Sequence, residues 1–307
     1  MEGLTPIPSV APVCPALAYS EAIAEMIAGP VWRGEVHSVF PAAANLLFPG
    51  DFVLSLNTRD GISVPNGIRL GALRGAFPFS TLRPGMPALL GASRLYIEDL
   101  HWSVDLSSCA RWRAQLRRPP RVEPAVLERN RERLRRMLLV PELLRRRQEE
   151  DHPLLPLMRA ALRGESRLPA EPTALAELLA GRGPGLTPSG DDLLTGWLAA
   201  GWWLHGPAPH FLAACERVVA VAASRTHLLS RAWLSWAARG YFASPLLQLV
   251  ESLAEEHEEH LLARAQAVLA LGASSGYDLL CGLVLGLTAS SWQQPWPGAG
   301  RPSFSCP

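Results

Sequence analysis

The 307-residue chain contains no lysine, so its whole basic complement is arginine. That absence removes a phosphate loop closed by lysine, a Schiff-base nucleophile and a lysine general base. Cysteine is scarce too: Cys14, Cys109, Cys215, Cys281 and Cys306 are scattered, with no Cys-x-x-Cys pair. Neither a disulfide framework nor a zinc ribbon follows from such spacing, and a reducing cytoplasm is the expected location. The formal charge is only +1, so no global field draws the chain to nucleic acid or to an acidic membrane. The longest apolar runs, residues 193–204 and 279–289, are about a dozen residues each, short of the ~20 that cross a bilayer. They are expected to be buried core helices. The first residues lack a basic start, and Pro6, Pro8, Pro12 and Pro15 interrupt any apolar stretch, so no secretory leader is expected.

What is present is ordinary globular material, 48% hydrophobic and 19% charged, with enough length for one large core or two modest ones. After a short helix expected over residues 16–28, alternating or β-rich stretches at 31–40, 51–56, 68–73, 88–90 and 93–97 predict strands. Gly50, Asp60-Gly61, Asn66-Gly67 and Pro84-Gly85 supply the turns. Arg117-Arg118-Pro119-Pro120 then breaks the chain, and helical periods dominate from Pro124. The pattern predicts an α+β protein, with a mainly antiparallel β domain over residues 1–118 and a larger all-α domain over 119–307.

Thirteen of the 29 basic residues fall between Arg111 and Arg147, but Glu128, Glu132, Glu142, Glu149 and Glu150 are interleaved, and leucines at 127, 134, 138 and 144 form a stripe. A solvated amphipathic helix pair explains this better than a nucleic-acid groove. The run Glu255-Glu256-His257-Glu258-Glu259-His260 spaces its histidines three apart, not four as in the His-Glu-x-x-His helix. It is expected to be a solvated face, with no metal site.

The most distinctive feature is a repeat. Ser189-Gly190-Asp191-Asp192-Leu193-Leu194-Thr195-Gly196 returns 86 residues later as Ser275-Gly276-Tyr277-Asp278-Leu279-Leu280-Cys281-Gly282, identical at six of eight positions. Small residues follow at the same offset, Ala200 and Gly286. Each serine suits a helix N-cap with an acid three residues on. A glycine directly after the cap costs entropy, so Gly190 and Gly276 predict close backbone approach. Upstream of the first copy, Gly181-Arg182-Gly183-Pro184-Gly185-Leu186-Thr187-Pro188 is a glycine-rich loop feeding a helix end whose first amides lack internal partners and can hold an anion. Gly185 and Gly190 have phosphate-loop spacing, but Asp191 stands where lysine is required, and Thr187 breaks the Gly-x-Ser-x-Gly elbow.

The small residues lie four apart on each helix, so the two backbones are expected to cross there in pseudo-symmetric fashion, bringing Asp192 and Asp278 into one pocket. Paired carboxylates repel a bare anion. They suit N–H donors of a substrate or a divalent cation, while free amides and Arg225 receive oxyanions. Residues 223–230 mix Arg225, His227 and the hydroxyls of Ser224, Thr226 and Ser230 within an apolar helical region, which predicts partners for them. His227 is the weaker candidate there. Asn45 and Asn66 either reach the pocket or hold turns.

The run Gly183-Pro184-Gly185-Leu186-Thr187-Pro188-Ser189-Gly190-Asp191-Asp192, with residues 225–230 and Ser274-Ser275-Gly276-Tyr277-Asp278, resembles the bacterial domain-of-unknown-function 2877 family. Val36-His37-Ser38-Val39-Phe40 with Asn45-Leu46 resembles its N-terminal part. The resemblance implies a component of the oxamate carbamoyltransferase of anaerobic allantoin degradation, acting with further protein subunits on small carboxylates or phosphates. On that reading Asp192, Asp278 and Arg225 are the catalytic candidates. Gly185, Thr187, Ser189, Gly190, Asp191, Thr226, Ser230, Ser274, Ser275 and Gly276 line the substrate, and no cofactor is expected. The alternatives are a non-catalytic partner subunit or small-ligand-binding protein, and a Mg2+-dependent amide hydrolase using Asp191, Asp192 and Asp278.

Overall fold

A computed structural model of the chain describes residues 14–117, 122–140 and 153–288. The expected break at residues 118–120, the second half of the basic stretch, the tail of the second apolar run, Cys306 and the early prolines Pro6, Pro8 and Pro12 lie outside these residues. Contacts divide the chain into two compact units between Gln115 and Leu116.

The first unit is one nine-stranded sheet. Its strands are β1 (Ala16–Ser20), β2 (Trp32–Val39), β3 (Ala43–Phe48), β4 (Phe52–Asn57), β5 (Gly67–Leu70), β6 (Pro87–Gly91), β7 (Arg94–Ile97), β8 (Trp102–Asp105) and β9 (Ala110–Trp112). Their order is β8-β7-β6-β2-β3-β4-β5-β1-β9. Only β1 with β9 and β4 with β5 pair in parallel; the other six pairings are antiparallel. Val36, Leu46, Leu54, Leu56, Ile68 and Leu90 are almost fully buried and form its core. Asn45 donates to Ser38 Oγ at 3.0 Å and accepts from Ser55 Oγ at 2.8 Å, and Asn66 donates to the Val53 carbonyl at 2.7 Å. Both asparagines therefore tie neighbouring strand segments together.

One expectation is corrected in this unit. The helix expected over 16–28 begins as strand β1, and only α1 (Ala24–Ala28) is α-helical, after a 3-10 turn over Glu21–Ile23. Ser20 Oγ accepts from the Ala22 amide at 3.2 Å and starts that turn. The apolar stretch ahead of Ser20 is too short for periodicity to separate strand from helix, and pairing with β5 and β9 decides for the strand.

The second unit is helical: α2 (Pro124–Leu138), α3 (Leu155–Arg163), α4 (Pro172–Leu179), α5 (Ser189–His205), α6 (Pro209–Ala223), α7 (Leu228–Ala238), α8 (Ser244–Glu251), α9 (Glu258–Leu269) and α10 (Ser275–Thr288), with a short 3-10 turn over Ser252–Ala254. The repeat helices α5 and α10 form its core. From Ser189 to Trp203 only Thr195 is not buried, and Gly276 to Val284 are buried throughout. On α2, Leu134 and Leu138 face inward, while Glu132 accepts from Arg135 at 2.6 Å and from Arg136 at 2.9 Å. Those arginines hold the Glu132 carboxyl down at about 2. Asn130 on the buried side donates to the Leu253 and Glu255 carbonyls at 3.1 and 2.8 Å.

Candidate functional site

The two repeat helices touch backbone to backbone. A Cβ added at Gly196 would lie 2.0 Å from the Leu279 carbonyl oxygen, and one at Gly282 would lie 2.0 Å from that of Leu193. Leu193 and Leu279 are themselves equivalent in the repeat, so the contact is reciprocal, as across a twofold axis. Further along, Gly286 faces Ala200 and Trp197. Residue pairs that advance together on both helices make the crossing parallel, which brings both helix starts to one end.

Gly190 and Gly276 also leave no room for a side chain. A Cβ at Gly190 would fall 1.8 Å from the Leu179 carbonyl oxygen, and one at Gly276 would fall 2.0 Å from that of Val268. In each half the glycine lets the new helix start against the last turn of the helix before it, α4 or α9. The close approach expected of these glycines is met by the chain itself.

The expectation of open helix amides is corrected. Gly190 N donates to Arg182 O at 2.9 Å, and Asp191 N and Asp192 N donate to Pro188 O at 2.8 and 3.2 Å. In the second half Gly276 N donates to Leu271 O at 3.0 Å, and Tyr277 N and Asp278 N donate to Ser274 O at 3.1 and 3.3 Å. The loop before each helix curls back and fills these donors, a tertiary detail no local pattern displays. The serine caps are corrected as well. Pro188 occupies the cap of α5 without a side-chain bond, and Ser189 is already inside the helix, its Oγ buried with no partner.

Asp191 is a structural hub, only 1% exposed. Its Oδ1 accepts from Gly181 N at 2.9 Å, and its Oδ2 accepts from Ser230 Oγ at 2.7 Å and from Thr226 Oγ1. Residues 224–227 prove to be the turn between α6 and α7 instead of helix interior. That turn is pinned from the other side by Gly181, whose φ is +73° and whose Cβ would lie 1.9 Å from Arg225 O. The exposed Arg225 side chain reaches the Glu177 carbonyl at 3.5 Å, and His227 is exposed at the start of α7. Of the residues singled out, Gly185 sits on the exposed part of the loop, with open space around its Cβ position.

Asp192 and Asp278 come together where the helices start. Asp278 is fully buried and Asp192 nearly so. Burial pushes the Asp192 carboxyl well above its usual range, and the charges of Asp278 and Asp191 push the same way. The hydroxyls of Ser275 and Thr187 oppose the shift. Burial and the neighbouring charges thus favour the protonated form of Asp192. Thr187 Oγ1 and Ser275 Oγ are 3.2 Å apart, both half-buried above the pair. Asp192 Oδ2 has no hydrogen-bond partner. Such an arrangement offers two buried carboxyl groups, one of them biased toward its protonated form, and hydroxyls that act either way.

Among the described residues no group of three His, Cys, Asp or Glu side chains is placed to hold a metal ion. His257 and His260 are exposed, and Glu255 near them accepts from Arg264 at 2.7 Å. Sequence reasoning missed the carbonyls of Arg182 and Leu271 that fill the helix starts. The positive-φ glycines at 181, 183 and 272 were their one visible signal.

Fold and site together define an α+β protein whose helical unit is organised by an internally duplicated, parallel helix pair around a buried acid pair. Residues 179–287 match the family model described as oxamate carbamoyltransferase subunit AllH, and residues 15–111 match the AllH family N-terminal domain. The chain belongs to the AllH family and is related to a carbamoyltransferase component. No solved structure gives a significant match. Among the described residues no helix is long and apolar enough to cross a membrane.

Proposed function

We propose that the chain is a working subunit of a carbamoyltransferase that exchanges a carbamoyl group between oxalurate and phosphate, giving oxamate and carbamoyl phosphate, in the cytoplasm and with partner subunits. The observation that carries this reading is the buried pairing of Asp192 with Asp278, where burial raises the Asp192 carboxyl and the hydroxyls of Thr187 and Ser275 lie beside it. In the exchange a phosphate oxygen bonds to the carbamoyl carbon, the carbonyl oxygen gains charge, and the carbon–nitrogen bond breaks as the departing nitrogen takes a proton. Asp192 would donate to that oxygen or nitrogen, as a carboxylic acid kept neutral can. Asp278 would accept from an NH2 group. Ser274, Ser275 and Thr187 would complete the polar lining, and Arg225 would meet the substrate carboxylate. Asp191, with Thr226 and Ser230, would hold that turn in place.

The reading is tested by titrating oxamate and phosphate into the full chain, with and without its partner subunits. Asp192→Asn should keep the fold and weaken oxamate binding about tenfold, the loss of one buried hydrogen bond from the acid. Unchanged binding would leave Asp192 a packing residue. One observation favours a second reading, a non-catalytic partner subunit: the Gly190 and Gly276 amides are already occupied, while Leu186 on the loop is 44% exposed. Turnover of oxamate and carbamoyl phosphate by the isolated chain would exclude it.

A further inference from the structure

The helical unit contains a cleft of about 570 Å3, lined by residues of α2, α3, the segment after α3, α5 and the end of α10, with neither aspartate of the acid pair in its lining. Its size falls in the range of small-ligand sites, about 300–1,000 Å3. Trp197, Leu162 and Val284, each almost fully buried, back the cleft, and four arginines line it with no carboxylate among the described lining residues.

The arginines are not equally available. Arg135 is spent, with Nε and Nη2 on Glu132 at 2.6 and 2.8 Å and Nη1 on the Leu162 carbonyl at 3.0 Å. Arg131 binds Glu128 through Nε and Nη2, leaving Nη1. Arg163 has only Glu165, 4.0 Å away on an exposed pair, a contact of little energetic weight. Arg167 has no ion pair or hydrogen bond among the described residues. Two guanidinium forks therefore stand open beside an apolar backing, with Ser166 between them.

We infer that this cleft binds a small organic anion, a phosphate or carboxylate carried on a flat or branched apolar body. The four arginines lie outside residues 15–111 and 179–287 that match the family, whereas Trp197, Val284 and Leu285 lie within the second match. Such binding is independent of the proposed carbamoyl transfer.

The test uses the full chain and calorimetric titration with phenyl phosphate, phenylacetate, inorganic phosphate and the neutral 2-phenylethanol. Phenyl phosphate or phenylacetate should bind, and whichever binds more tightly identifies the anionic group. The doubly substituted Arg163→Gln/Arg167→Gln chain, altered only at exposed positions, should bind it at least about tenfold more weakly with an unchanged melting midpoint. Arg33→Gln, in the β unit, should bind as the parent does. No binding of either aromatic anion at millimolar concentration would overturn the inference. So would equal binding by the double variant, or inorganic phosphate or 2-phenylethanol binding as tightly as the aromatic anions.

Discussion

The two helix starts share a skeleton and differ in what is attached to it. Both use a glycine to pass a preceding helix, both place a carbonyl at the cap to receive two amides, and both carry the inward aspartate. At the unrepeated positions they diverge. Asp191 gathers Gly181, Thr226 and Ser230, whereas its counterpart Tyr277 sends its hydroxyl to the Leu138 carbonyl at 3.1 Å. Thr187 bonds Ser275, but the position equivalent to Thr187 in the second half is Ala273, and Ser189 Oγ is left without a partner. The repeated residues thus build the crossing, and the unrepeated ones make its common end one-sided.

The sharpest way to break this comparison is at the crossing glycines. Gly196→Ala and Gly282→Ala should each cost about 3 kcal/mol or more, because the added carbon would meet a backbone oxygen that cannot move aside. The two losses should be alike in chemical denaturation. A neutral result at either position would show that the reciprocity is not structural. Next in size, Asp191→Ala should cost about 3 kcal/mol by stranding three donors, against about 1 kcal/mol for Tyr277→Phe. Equal costs would remove the asymmetry between the halves.

The smallest effect concerns Asp192 and has a definite sign. Below the unfolded-state carboxyl value of about 3.9, both folded and unfolded chains hold the proton. As pH rises the unfolded chain releases it first, so the native state loses stability until the raised folded-state value is passed. Asp192→Asn should therefore melt higher than the parent at pH 8, and the difference should disappear below pH 4. A pH-independent difference would mean that Asp192 ionises normally in the fold.

Much of this was legible in the sequence, because local rules write it there. The repeat, the small-residue spacing and the buried apolar runs predict the helix pair, and alternation with turn residues predicts β2, β4, β5, β6 and β7. The β3 strand was missed because Ala43–Phe48 is apolar nearly throughout, without alternation. At the helix starts, Gly190 and Gly276 announced a close contact but not its partner. Leu179 and Val268 precede them by 11 and 8 residues, and only the fold of the intervening loops says which group arrives. Asp191 likewise looked like a ligand contact, since Thr226 and Ser230 lie more than 30 residues on.

The parallel crossing has an electrostatic consequence. Two helices in contact and pointing the same way set like poles side by side, each about half a positive charge at its N-terminus. Antiparallel neighbours would cancel; these add. Acidic side chains in both first turns, Asp191 on one and Asp278 on the other, offset that field from within. The molecule therefore has a reason of its own to keep negative charge at this end before any ligand arrives.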